Sequence, residues 1–238
     1  MNTLDYELTN PIGDKATFGL VALQTDETVE PELQSVFNKD GVALYTTRIE
    51  SEAEVTPETL KLMEAKLPAS VSLLPPSLDF DVIGYACTSG ATIIGPDRIS
   101  ELIFKGSNAK HATNPLTALI DICQQHDIKS LGFISPYIDS VSLPMRTYLE
   151  DKAGIRVSNF ATFNEATEAK VARISPQSIL DATIEIGKLS DCDAVFLSCT
   201  NLRTFSILQT AKEKLGKPVW SSNYVLAHHM SKLVNMNL

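Results

Sequence analysis

Slid along itself by 113 positions, the chain lays Gly19 over Gly132, Asp26 over Asp139, Pro31 over Pro144 and Gly41 over Gly154. The segment FGLVALQTDETVEPEL thereby lies over LGFISPYIDSVSLPMR, and each leads into an amphipathic stretch, a glycine and another β-branched run. Farther along, Thr56-Pro57 and Ser175-Pro176 match at an offset of 119. Two nearly identical strand ends, IGYACTSG and VFLSCTN, match at 112, which sets Cys87 over Cys199. The order strand, helix, glycine, strand, capped helix, cysteine strand thus occurs twice. A pattern of two long copies describes a duplicated unit, not a solenoid of short repeats.

Apolar, β-branched runs near 18–24, 42–48, 82–87, 130–135, 155–161, 193–199 and 217–221 read as strands. Helical patterns lie between them near 29–38, 57–67, 97–104, 114–126, 140–152, 176–189, 203–215 and 223–235. Thr56-Pro57, Asn114-Pro115 and Ser175-Pro176 each put a capping residue before a proline at the first helical position. Strands alternating with helices predict an α/β fold with parallel sheets covered on both faces. Combined with the repeat, this gives two pseudo-symmetric lobes, each a parallel sheet flanked by helices, with the active site in the cleft between them. The expected division is 1–110 for the first lobe, completed by 218–238, and 111–217 for the second.

With 238 residues and 44% hydrophobic content the chain can bury a large core. A formal charge of −9 excludes nucleic acid as the expected partner, because phosphate binding needs a basic field. No run reaches the ~18 apolar residues of a membrane span, and the start MNTLDYELTN lacks the basic and apolar regions of a signal peptide. A cytoplasmic location is expected, with Cys87, Cys123, Cys192 and Cys199 as free thiols. The four histidines stand at no zinc-like spacing from these cysteines, so no metal is expected; His228-His229 are read as surface or core residues. Neither GxGxxG nor a Walker loop occurs, and no cofactor is expected.

In open parallel sheets, ligands bind beyond the carboxyl ends of the strands. Cys87 and Cys199 fall there, each followed by Thr and a small polar residue. The segments beyond them run toward helix starts, where free N–H groups bind carboxylates and lower a thiol's pKa. A lone cysteine at a strand end is more often a small core residue than a nucleophile, but equivalent positions in a duplicated unit favour a functional pair. Cys123, on an apolar helix face, and Cys192, before a strand, read as structural.

The segments GLVALQTDETVEPEL, GYACTSG, ISPYIDSV, ATFNE and LSCTNLRT, in that order, resemble the aspartate/glutamate racemase superfamily, within it the maleate isomerase and arylmalonate decarboxylase branch. CTSG with LSCTNLRT is most similar to the maleate isomerases. Decarboxylases of the branch resemble it less, keeping the second cysteine with a small residue at the first. The resemblance implies a cofactor-independent isomerase acting on a small carboxylic acid. In the maleate cis–trans isomerase manner, Cys87 would be the nucleophile and Cys199 the acid. It implies that Tyr137 and Asn164 hydrogen-bond substrate carboxylate, with N–H groups of Thr88, Ser89, Thr200 and Asn201 supplying the rest. A homodimer is also implied. On residue type alone, the favoured readings are a half-buried core tyrosine for Tyr137 and a turn asparagine for Asn164.

One position departs from the pattern. Where maleate isomerases resemble SSNTT, this chain reads QTDET, so Asp26 stands in place of a neutral amide; superfamily members associated with hydroxyectoine utilisation resemble TDET more closely. An ionised Asp26 repels a dicarboxylate and attracts an ammonium or amidinium group, yet Asp also caps helices readily, and a helix begins near Val29. Alternatives therefore stay open: an amino-acid-type racemase, a decarboxylase using Cys199 alone, or a ligand-binding α/β protein without turnover.

Overall fold

The computed structural model describes residues 1–189 and 191–236. It contains two four-stranded parallel sheets of the same strand order. In the first, β2 (Val42–Ile49), β1 (Ala16–Leu23), β3 (Val82–Ala86) and β4 (His111–Thr113) lie side by side. In the second, the order is β6 (Arg156–Thr162), β5 (Ser130–Ser135), β7 (Ala194–Leu197) and β8 (Val219–Ser221). Every neighbouring pair is parallel. The two lobes are thus one topology repeated, as the sequence offsets require, with Gly19 and Gly132 in the equivalent strands β1 and β5.

Both central strands of each sheet are buried along their described length, which is why they read as unbroken apolar runs instead of alternating ones. On one face of the first sheet, Phe18, Leu20 and Ala22 pack with Leu33 and Phe37 of α1 (Val29–Phe37) and Leu226 and Met230 of α10 (Ser222–Leu233). On the other, Val21 and Leu23 join the larger core with Leu60, Met63 and Leu67 of α2 (Pro57–Val71). That core continues through Leu131, Phe133 and Phe196 of the second sheet, so the lobes share apolar packing.

The three cap-proline signals start helices as expected. Thr56 accepts from the Thr59 N–H while Thr59 accepts from the Thr56 N–H, closing a capping box at α2. Asn114 takes the N–H groups of Leu116 and Thr117 at α5 (Pro115–Gln125), and Ser175 takes that of Ser178 at α8 (Pro176–Gly187).

Three elements go beyond the sequence expectation: β4, the seven-residue helix α3 (Thr88–Ile94) directly after Cys87, and the single turn α7 (Glu168–Val171). The remaining helices are α4 (Pro96–Gly106), α6 (Asp139–Ala153) and α9 (Phe205–Leu215). Two boundaries also move. His111–Thr113, expected in the second lobe, pair with Val82–Gly84 and extend the first sheet. Within 218–238, α10 does pack against β3, but Val219–Ser221 pair with β7 in the second sheet. Each correction follows from backbone pairing, which a short edge strand does not advertise in its side chains.

Candidate active site

In both sheets the crossover direction reverses between the two central strands, and the loops leaving those strands carry the expected residues. Asp26 follows β1, Cys87 follows β3, Tyr137 follows β5 and Cys199 follows β7. Asp26, Cys87, Tyr137 and Cys199 are all buried.

Cys87 is the N-cap residue of α3, and its Sγ accepts the Gly90 N–H at 3.2 Å. The sulfur of Cys199 accepts the Asn201 N–H, also at 3.2 Å, inside a turn that precedes α9. A buried tyrosine accompanies each thiol. Tyr85 lies against Cys87, its hydroxyl 3.6 Å from Met63 Sδ, while the Tyr137 hydroxyl stands 3.0 Å from Cys199 Sγ. The strand ends are tied directly: Thr200 Oγ1 donates to the Ala86 carbonyl oxygen at 3.2 Å.

Burial, not the N–H contacts, sets the protonation of these sulfurs. It pushes the Cys87 thiol up to about 12; the Gly90 N–H pulls the other way, and the carboxylates of Glu168 and Asp26 add to the rise. Cys199 is likewise held well above the usual thiol value, by burial first and Glu168 next. The expected lowering by a helix start is therefore outweighed, because desolvation of a thiolate among acids exceeds one or two backbone donors. Both sulfurs respond to the same two carboxyl groups, and Tyr137 to both sulfurs, so these side chains lie within electrostatic reach of one another.

Glu168 was not singled out in the sequence. It sits in the acid-rich stretch NEATEAK, which reads as solvated, yet the folded chain buries it. Its backbone N–H donates to the Ala53 carbonyl at 3.0 Å, the Val55 N–H donates to the Ala166 carbonyl at 3.0 Å, and Glu54 and Thr167 form an antiparallel bridge. The second lobe's loop is thereby laid against the first lobe, and Glu168 is carried inward. Its Oε1 accepts the Tyr137 hydroxyl at 2.6 Å and its Oε2 accepts Asn201 Nδ2 at 2.6 Å. The one signal in the sequence is Val171, three residues on and fully buried, which marks that face of α7 as inward.

Asp26 satisfies both sequence readings with different atoms. Oδ1 accepts the N–H groups of Thr28 and Val29 at 2.8 Å each, capping α1, while Oδ2 is buried without a hydrogen-bond partner among the described residues. Burial raises its pKa, with the Val29 and Thr28 N–H groups and then the nearby Thr200 hydroxyl, whose hydrogen goes to the Ala86 carbonyl, pulling it back only partly. Arg48 donates to the Asp26 carbonyl oxygen at 2.8 Å and pairs with Glu30, which fixes the loop.

The other expected residues divide. Thr88 shares a hydrogen bond with Ser222 at 2.7 Å, and Thr88, Ser89, Thr200 and Asn201 are buried beside the thiols. Asn201 is a strut across the lobes: Oδ1 takes the Glu27 N–H at 2.8 Å and its carbonyl takes the Thr28 hydroxyl at 3.0 Å. Its N–H is committed to sulfur, not left for substrate. Asn164 stands apart from the cluster. It is exposed, at φ +54 in the left-handed region where asparagine is tolerated, its N–H bonded to the Thr162 hydroxyl. Tyr137 places its hydroxyl between Glu168 Oε1 and Cys199 Sγ.

Cys123 and Cys192 are buried away from this cluster, the latter 3.5 Å from Lys217 Nζ. Arg98 pairs with Glu64 and Glu101 at the surface, and Arg203 is exposed. His229 shares a 2.7 Å hydrogen bond with Thr113, and His228 stacks on Tyr224. Among the described residues no group of three His, Cys, Asp or Glu side chains is placed to hold a metal, and no helix is long and apolar enough to cross a membrane.

Residues 101–237, more than half of the chain, match the family model described as arylmalonate decarboxylase. A maleate isomerase from Alcaligenes faecalis is 22% identical over 230 residues, covering 90% of this chain and 89% of that protein. The maleate isomerase Iso of Pseudomonas putida S16 superposes with a TM-score of 0.84 at 18% identity, covering 93% of each chain. A cysteine-to-serine variant of the Nocardia farcinica maleate cis-trans isomerase, solved with a covalently bound succinylcysteine intermediate, superposes with a TM-score of 0.82 at 23% identity, again covering 93% of each. At these identities the structural likeness establishes the fold.

Proposed function

The chain belongs to the arylmalonate decarboxylase family, and from that membership we propose that it is a cofactor-independent, two-cysteine isomerase acting at one carbon of a small carboxylic acid. The observation that carries this reading is the matched setting of the thiols. Cys87 and Cys199 occupy the same strand-end position of two sheets with one order, each with a backbone N–H 3.2 Å from sulfur. A decarboxylation needs one proton donor; an isomerisation or racemisation gains from a second thiol on the opposite face.

In the maleate cis–trans isomerase form of the reaction, a substrate carboxylate takes the Cys87 proton, to return it when the sulfur leaves, and the thiolate bonds to one olefinic carbon. The double-bond electron pair passes to the neighbouring carbon and its carboxylate, and Cys199 supplies that carbon with a proton. Rotation about the resulting single bond follows. Cys199 then recovers its proton, the electron pair reforms the double bond, and the carbon–sulfur bond breaks to give the trans acid. The Gly90 N–H is aimed at the sulfur that must bear charge.

A second reading of the substrate rests on charge. Asp26 and Glu168 are two buried carboxylates, one with an oxygen lacking a partner, and both act on the thiols. They favour an acid that also carries an ammonium or amidinium group, racemised by proton exchange between Cys87 and Cys199. Proton NMR in deuterium oxide separates the readings. Cis-to-trans olefin signals support isomerisation of the maleate type, deuterium entering an α carbon supports racemisation, and release of carbon dioxide that survives Cys87→Ala overturns the two-cysteine reading.

A further inference from the structure

Tyr137 has one hydroxyl hydrogen and two neighbours that compete for it: Glu168 Oε1 at 2.6 Å and Cys199 Sγ at 3.0 Å. Burial raises the pKa of the Glu168 carboxyl while the Tyr137 hydroxyl and the Asn201 amide, both donating to it, pull it back, and this shorter carboxyl acceptor takes the hydrogen. Glu168 Oε2 is occupied by Asn201 Nδ2, which can only donate, so the carboxylate is surrounded by donors on both oxygens. With its hydrogen turned to Glu168, the Tyr137 oxygen presents lone pairs to sulfur, and the contact to Cys199 is then made by the S–H. From this geometry we infer that Glu168 is a positioning residue which, through Tyr137, keeps Cys199 as a thiol whose hydrogen points at the Tyr137 oxygen. The titratable groups facing Cys199 are Glu168, Tyr137 and Asp26; none is a cation, Glu168 and Asp26 raise the thiol, and a Tyr137 hydrogen turned to sulfur would lower it, which is the contact that Glu168 withdraws.

The consequence for the reaction rests on the two-cysteine reading. Both sulfurs rest as thiols, but only the Cys199 hydrogen is aligned by a carboxyl-bound hydroxyl. That suits it to donate and leaves Cys87, with the Gly90 N–H at its sulfur, to give up its proton and attack. The two thiols of a duplicated site are thereby made unequal by an acid outside the repeat, since the residue 113 positions before Glu168 is Val55.

The infrared S–H stretching band tests the assignment with no substrate, so its outcome is separate from whether the protein is an isomerase. The Cys199 band is identified as the one lost in Cys199→Ser. It is expected at lower frequency than that of an unbonded thiol, the mark of a hydrogen bond donated by sulfur. Tyr137→Phe removes the acceptor and should move it to higher frequency. Glu168→Gln should do the same by a different route: the amide oxygen must serve Asn201, the NH₂ group then faces the Tyr137 oxygen, and the tyrosine turns its hydrogen toward sulfur. A merely structural Glu168 moves the melting temperature and leaves the band in place. The inference is overturned if the Cys199 band is absent at neutral pH, sits at the unbonded frequency, or stays put in whichever of these variants folds.

Discussion

Thr200, the residue after one cysteine, is hydrogen-bonded to the carbonyl of Ala86, the residue before the other, at 3.2 Å. The two strand ends that carry the thiols are held in register by this contact between lobes. Replacing Thr200 with Val keeps the shape and removes the hydroxyl, and is expected to cost about 1 kcal/mol in urea unfolding. The loss of turnover should exceed what that destabilisation explains, because a sulfur displaced by a fraction of an ångström misses its carbon. Thr200→Ser should restore both.

Gly90 has no room for a side chain. A Cβ there would lie 2.5 Å from the Tyr85 hydroxyl, 3.0 Å from Cys87 Sγ and 3.1 Å from Met63 Cε. Gly90→Ala is expected to lower stability by about 1–2 kcal/mol and to slow alkylation of Cys87 by iodoacetamide as the sulfur is pushed from its N–H. Gly95→Ala is the control. Its Cβ meets nothing within 4 Å, but its φ of +102 strains an alanine. It should cost about 1 kcal/mol in a thermal melt and leave the Cys87 rate unchanged.

Single substitutions of Cys87 or Cys199 by Ala should each reduce isomerisation or racemisation by about a thousandfold or more, and the double variant should be scarcely worse than either one. Cys123→Ala should retain turnover while losing stability by roughly 1 kcal/mol from the emptied volume. Initial rates and urea midpoints on the same preparations separate the two effects.

Asp26 gives the stability curve a definite sign. Burial raises its pKa above the ordinary 3.8, so between that value and the raised one the folded chain keeps a proton that the unfolded chain has released. Stability from this group falls as pH rises through that window and is level above it. The difference between Asp26→Asn and the parent chain in urea should therefore shift in favour of the variant as pH rises above the ordinary carboxyl value, and level off once the folded chain has lost the proton. A flat difference would mean that Asp26 is charged throughout.

The sequence made the scaffold legible because its signals are local. Each cap-proline pair opened the helix it announced, and the buried strands showed as apolar runs. The matched cysteines pointed to equivalent strand ends before any sheet was known. What escaped depends on contacts distant in the chain. His111–Thr113 form a strand only because β3 offers an edge. Thr88–Ile94, with a glycine and four β-branched residues in seven, has weak helical propensity of its own and is helical where the fold places it after Cys87. Asn164 and Glu168 lie four residues apart in one polar loop; the pairing of that loop with residues 53–55 buries the second and leaves the first outside.

That pairing also sets a condition on traffic. The Glu168 and Val55 N–H groups are bonded across the lobes to Ala53 and Ala166, on the segment whose Glu168 carboxyl holds the Tyr137 hydroxyl beside Cys199. A molecule entering by parting the sheets at this seam must trade those two backbone hydrogen bonds for water, and the carboxylate departs with the seam. On the proton alignment inferred above, opening at this seam and loss of that alignment would be one event.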